Sequence, residues 1–275
     1  MRTALSAVGY LLLAVMVWSV LATVLVEIGG KRDRLERVVI PAIQAAHPEY
    51  ALGSGGCCTV TGILSLKGDF DLVLRSPAVE ESIVQIQPTI DTFGRVDLDS
   101  AYVAQTPMSY LMGGSAIPAS TERKVLEQLP PGMNASAVVL FDHPIDEPEV
   151  QALLASMSSD VALLYDVPQS ARTGGGPTHI PDRIGWPSEG LWLPPDVVDQ
   201  TFAGWTATLS TGDDETLRRV GLPSSTALRQ MASQGVSGVV IGSARVSDLL
   251  SLLEDPLVQT VMPASVEFSL PGTDI

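Results

Sequence analysis

From Thr3 to Val26 the chain carries no charged side chain, and Val8 to Val26 is almost wholly apolar. About 20 such residues in a helix match the hydrocarbon thickness of a bilayer. The sequence therefore predicts an N-terminal transmembrane helix within an anchor segment, residues 1–30. Tyr10 lies near one end of the span and Trp18 in its middle, and Glu27, Lys31, Arg32, Arg34 and Arg37 close it with charge. A cleavable signal peptide would have a shorter apolar core and a small-x-small site after it. Val24-Leu25-Val26-Glu27-Ile28 offers no such site. Four basic residues beyond the span outweigh Arg2 before it, so the positive-inside rule alone leaves the remainder in the cytoplasm.

Beyond residue 37 the chain holds 11 basic and 28 acidic side chains, within a total net charge of −15. So acidic a surface repels phosphate backbones, which excludes nucleic acid as a partner. The two cysteines, Cys57 and Cys58, are adjacent and cannot staple distant elements together. They read as two small thiols near a strand start, with a vicinal disulfide or redox switch as the rival.

Arg32 to Ala46 reads as a continuing helix that Pro41 kinks or ends, and His47-Pro48 finishes it. With the glycine-rich joint Gly53-Ser54-Gly55-Gly56 it makes a juxtamembrane segment, 31–57. Alternation from Thr59, from Phe70, from Ser82 and from Arg95 marks short strands in a β-rich region, 58–118. The rest, 119–275, repeats strand–helix–strand twice. Ala135–Phe141, a helix opened by Asp146, and Val161–Tyr165 form the first unit. Gly238–Gly242, a helix from Ser247 to Glu254, and Val258–Phe268 form the second. The loop from Pro168 to Pro187 and a helix around Ser224–Gln234 lie between them. The fold class expected is thus α+β: an N-terminal transmembrane helix, a small β-rich layer, and two βαβ units in a ferredoxin-like sandwich.

No set of side chains has the spacing of a catalytic or metal centre, so no catalytic residue, metal ligand or cofactor is expected. His47, His143 and His179 lie on unrelated segments, two of them beside proline. The glycine-rich stretches at 53–56 and 174–176 lack the Lys-Ser/Thr and the strand–helix setting of a phosphate loop. Asp213-Asp214-Glu215 reads as the stabilising first turn of a helix. Asp142, Asp146, Glu147 and Glu149 read as a solvated acidic face. Asn134-Ala135-Ser136 matches a glycosylation sequon. Trp186, Trp192 and Trp205 fall close together with Phe202, as core or as a partner-binding patch. His179, Trp186 and Trp192, in and beside the 168–193 loop, are the candidate partner-binding surface.

Ala137 through Leu154 resembles the strand-to-helix passage of the sigma-factor-regulator C-terminal domain, the outer part of single-pass anti-sigma proteins of Gram-positive type. Val236 through Leu253 and Arg183-Ile184-Gly185-Trp186-Pro187 are similar to two further passages of it. The resemblance covers about residues 120–268. It implies an extracytoplasmic sensory or regulatory module that binds a protein partner, held in the cell membrane by a single span. Met1 to about Ala7 is too short for the sigma-binding segment of that plan, which a partner chain would have to supply. Two other readings stay open. One is a structural subunit of a membrane or envelope complex. The other is a membrane-tethered hydrolase that uses carboxylates such as Asp142 and Glu147.

Overall fold

Two antiparallel sheets, of six and five strands, organise the chain. The computed structural model describes residues 12–18, 30–53, 56–61, 65–76, 83–91, 93–98, 106–113, 119–155, 157, 160–172, 180–189 and 201–267. The first sheet is built on β3, Ser65–Leu74, in which Leu66, Phe70 and Leu72 alternate inward with a period of two. Its second half pairs with β1, Tyr50–Leu52, and with β4, Ile83–Ile86. Its first half pairs with β2, Gly56–Thr61, and with β5, Pro88–Ile90. A strand has only two edges, so each edge of β3 carries two short strands in succession. β6, Val96–Leu98, extends the sheet from β5. A register shift between Gly56 and Thr59 places Cys57 and Cys58 at a bulge in β2.

The second sheet has the order β11-β7-β10-β8-β9. β7 is Asn134–Ile145, β8 Val161–Asp166, β9 Arg183–Pro187, β10 Val236–Arg245 and β11 Val258–Glu267. The Glu147–Leu154 helix connects β7 to β8, and the Val246–Leu252 helix connects β10 to β11. Neither pair of strands is adjacent. Each is split by a strand of the other unit, so the two units interlock. On one face Val138, Leu140, Ala162, Leu164, Val240 and Met262 lie under Met108 and Met112 of the Pro107–Gly113 helix. On the other, Val139, Phe141, Leu163, Tyr165, Val239, Ile241 and Val261 join the main core, which also takes in Leu66, Phe70 and Leu72 of the first sheet.

Several expectations are corrected. Within the expected span only residues 12–18 are described; the rest lies outside the described residues. Those seven are helical, with Leu12, Leu13, Val15, Met16, Val17 and Trp18 53–71% exposed. Among the described residues no helix is long and apolar enough to cross a membrane. The class is therefore α+β with two antiparallel sheets and, among the described residues, no transmembrane helix, so the expected single span is not supported by any described helix.

The 58–118 region also holds a helix, Pro107–Gly113, which packs on the second sheet and not on the first. The expected loop from Pro168 to Pro187 contains a short helix, Gln169–Arg172, and the strand β9. Pro41 does not break its helix. Lys31–Arg34 passes through a π-helical turn, Leu35–Val39, into Ile40–Ala46, with Pro41 in the first turn of that last segment. Proline lacks the N–H that would bond the Arg37 carbonyl four residues back. The indole N–H of Trp205 donates to that carbonyl instead, at 3.0 Å.

Candidate functional site

The two sheets meet at Arg75, the residue after β3. Its side chain is 2% exposed. Nε donates to the Tyr50 carbonyl at 3.1 Å, an η nitrogen pairs with the Asp160 carboxylate, and the backbone N–H donates to the Glu49 carbonyl at 2.8 Å. Gln44 Nε2 donates to the same Tyr50 carbonyl at 2.6 Å, and Gly242 N donates to the Asp160 carbonyl at 2.8 Å. The end of β3 is thus tied to β1 on one side and to the start of β8 on the other. Burial pushes the guanidinium down to about 10, against the charge of nearby Glu189. Close by, buried Glu49 lies 3.8 Å from Nδ1 of His47, and burial with the Glu49 charge raises the Tyr50 phenol.

Beside this junction a half-open cleft of about 170 Å³ runs between the Glu147–Leu154 helix and the β8–β9 pair. Val150, Leu154, Met157, Val161 and Leu163 form its apolar floor, and Gln151, Ser188 and Glu189 its polar border. The Ser188 N–H donates to the Val161 carbonyl at 2.9 Å, which holds the Ser188–Glu189 turn next to Asp160. The volume falls below the ~300–1,000 Å³ of small-molecule sites, so the cleft suits one side chain and not a cofactor.

The residues singled out from sequence fall elsewhere. Trp186 is 1% exposed and stacks on Trp205 with ring centroids 5.0 Å apart; Phe202 stacks on Tyr165 at 4.2 Å. These four rings are core, and Trp186 is no part of an exposed surface. His179 and Trp192 lie outside the described residues. Of the two carboxylates considered for hydrolysis, Glu147 accepts a hydrogen bond from Tyr165 Oη at 2.6 Å, and burial with that bond raises the phenol. Asp142 is exposed on β7, and the cleft is lined by neither. His143 is exposed. Asn134 and Ser136 sit within β7 between β10 and β11, and the Ser136 hydroxyl is buried against Ser265 at 2.5 Å. A sequon in a doubly paired strand is a poor glycan acceptor.

The acidic run at 213–215 is spent on the fold. Asp213 closes a capping box with Ser210, Asp214 accepts from Ser225 N at 2.8 Å, and Glu215 pairs with Arg218 and Arg219. Asp146 has N-cap backbone geometry, but its side chain caps nothing. Among the described residues no group of three or more His, Cys, Asp or Glu could hold a metal ion. Sequence reading misses Arg75, Asp160 and Glu189 because each is a lone charge in an unremarkable segment. It also misses Glu122, 3% exposed with neither carboxylate oxygen hydrogen-bonded, which burial pushes up to about 7. Comparison with protein-family models, with curated proteins and with solved structures finds no match to the chain.

Proposed function

We propose that the chain is a regulatory binding module that engages a protein partner, and that it is not an enzyme. One observation carries this reading: the charges are divided by role. Arg75, Arg172, Arg183, Arg218 and Arg219, five of the 11 basic residues beyond position 37, form ion pairs within the chain, Arg75 buried and the other four nearer the surface. Asp142, Asp146, Glu149 and Glu254 are exposed at one end of the second sheet, where Asp142 N donates to the Leu257 carbonyl. None of the four makes an ion pair among the described residues. Unneutralised carboxylates of this kind steer a partner with basic residues. The resemblance to the sigma-factor-regulator C-terminal domain implies the same kind of role.

The test is capture with the immobilised full chain, followed by reconstitution from purified components at 50 and 300 mM salt. The expected result is a protein partner bound at least tenfold more weakly at the higher salt, and weakened again by Asp142→Lys with Glu149→Lys. A purified partner indifferent to both changes, or no partner at all, overturns the reading.

A further inference from the structure

We infer that the cleft beside the Arg75 junction receives one lysine-like side chain, a long aliphatic stem ending in an ammonium group, from the protein partner. The inference rests on the protein-binding reading and names the chemistry recognised at this point. Val150, Leu154, Met157, Val161 and Leu163 give a floor that only an apolar stem can cover without stranding polar atoms. All three border residues can accept: the Glu189 carboxylate, the Gln151 amide oxygen and the Ser188 hydroxyl. An ammonium group has three donors and no acceptor, and its stem lies along apolar surface while the head stays in water.

The local charge selects the same head group. Asp160 is the carboxylate that pairs with the Arg75 guanidinium, while Glu189 stands on the border of the cleft. Arg75 is paired with Asp160, whereas Glu189 is exposed and makes no ion pair among the described residues. The cleft therefore has one negative charge left at its border, and an anionic or purely apolar occupant would leave it unmatched. About 170 Å³ is several times the ~30 Å³ share of a liquid water and fits a single extended side chain.

Three six-carbon probes, n-hexylammonium, 1-hexanol and hexanoate, separate stem from head group. Binding is read from the methyl NMR signals of Val150, Leu154, Met157, Val161 and Leu163 in the full chain. Hexylammonium is expected to shift these signals saturably, 1-hexanol at least threefold more weakly, and hexanoate not at all. Glu189→Gln, at an exposed position, should remove at least fivefold of the hexylammonium affinity, and Met157→Trp should block all three probes. Hexanoate binding as well as hexylammonium, or Glu189→Gln leaving affinity unchanged, overturns the assignment. A captured protein partner together with a silent cleft also overturns it and leaves the broader reading intact. A responsive cleft with no protein partner removes the broader reading while the preference for an ammonium group stands.

Discussion

The indole N–H of Trp205 donates to the backbone carbonyl of Arg37 at 3.0 Å, across 168 residues of sequence. That carbonyl is the one whose α-helical donor Pro41 removes, and it faces a core in which Trp205 stacks on Trp186. One polar atom of a core aromatic thus fixes the N-terminal helical stretch against the second sheet. Trp205→Phe keeps most of the apolar area and deletes the donor. Losing this part-buried hydrogen bond should cost ~1 kcal/mol in urea denaturation. Restoring residue 41 to a hydrogen-bond donor, Pro41→Ala, should recover part of that loss in the double variant.

Arg75 and Asp160 should respond unequally to substitution. Asp160→Asn strips the counter-charge from a guanidinium only 2% exposed and should destabilise. Asp160 is itself half-exposed, so solvent screening holds the cost to ~1–3 kcal/mol and below that of a wholly buried pair. Arg75→Met removes the charge along with its need for a partner and should stay within ~1 kcal/mol of the parent. Equal losses in denaturant midpoint would contradict this account.

Glu122 should make the fold sensitive to pH. Its carboxyl is raised from 4.5 to about 7, so the folded chain binds more protons than the unfolded one between those values. The contribution is fully present below pH 4.5 and lost as pH rises through 7. Glu122→Gln should flatten the stability–pH curve in that window and stabilise the chain at pH 8 by on the order of 2 kcal/mol. A variant that keeps the parent's slope from pH 5 to 8 would assign the slope to other groups.

Gly185 is needed for its missing side chain. A Cβ there would overlap the Pro48 ring and come within 3.2 Å of the Leu163 carbonyl. Gly185→Ala should lower stability by ~1–3 kcal/mol through overpacking, measured by thermal unfolding. Pro48→Gly in the same chain should relieve much of it.

The legible parts of the fold are those where pattern and burial coincide. Ala135 to Phe141 is a run of small and apolar residues, and it lies in β7 with both faces covered. Val161–Tyr165 reads for the same reason. β9 does not, because Arg183-Ile-Gly-Trp-Pro carries a glycine and a proline that argue against a central strand; an edge position tolerates both. The candidate site was the least legible. Whether an arginine is solvated or held at a sheet junction depends on residues 85 positions away, as with Arg75 and Asp160.

β9 is an outer strand, yet the chain from Arg37 to Pro48 passes around it. Arg37 lies on the side of Trp186, through Trp205, while Pro48 lies over Gly185, whose neighbouring position faces the opposite way. A segment made early therefore covers a strand made some 140 residues later. A chain lacking the stretch from Arg37 to Pro48 would lose that cover from an outer strand of the sheet, and outer strands left uncovered are where further copies can pair.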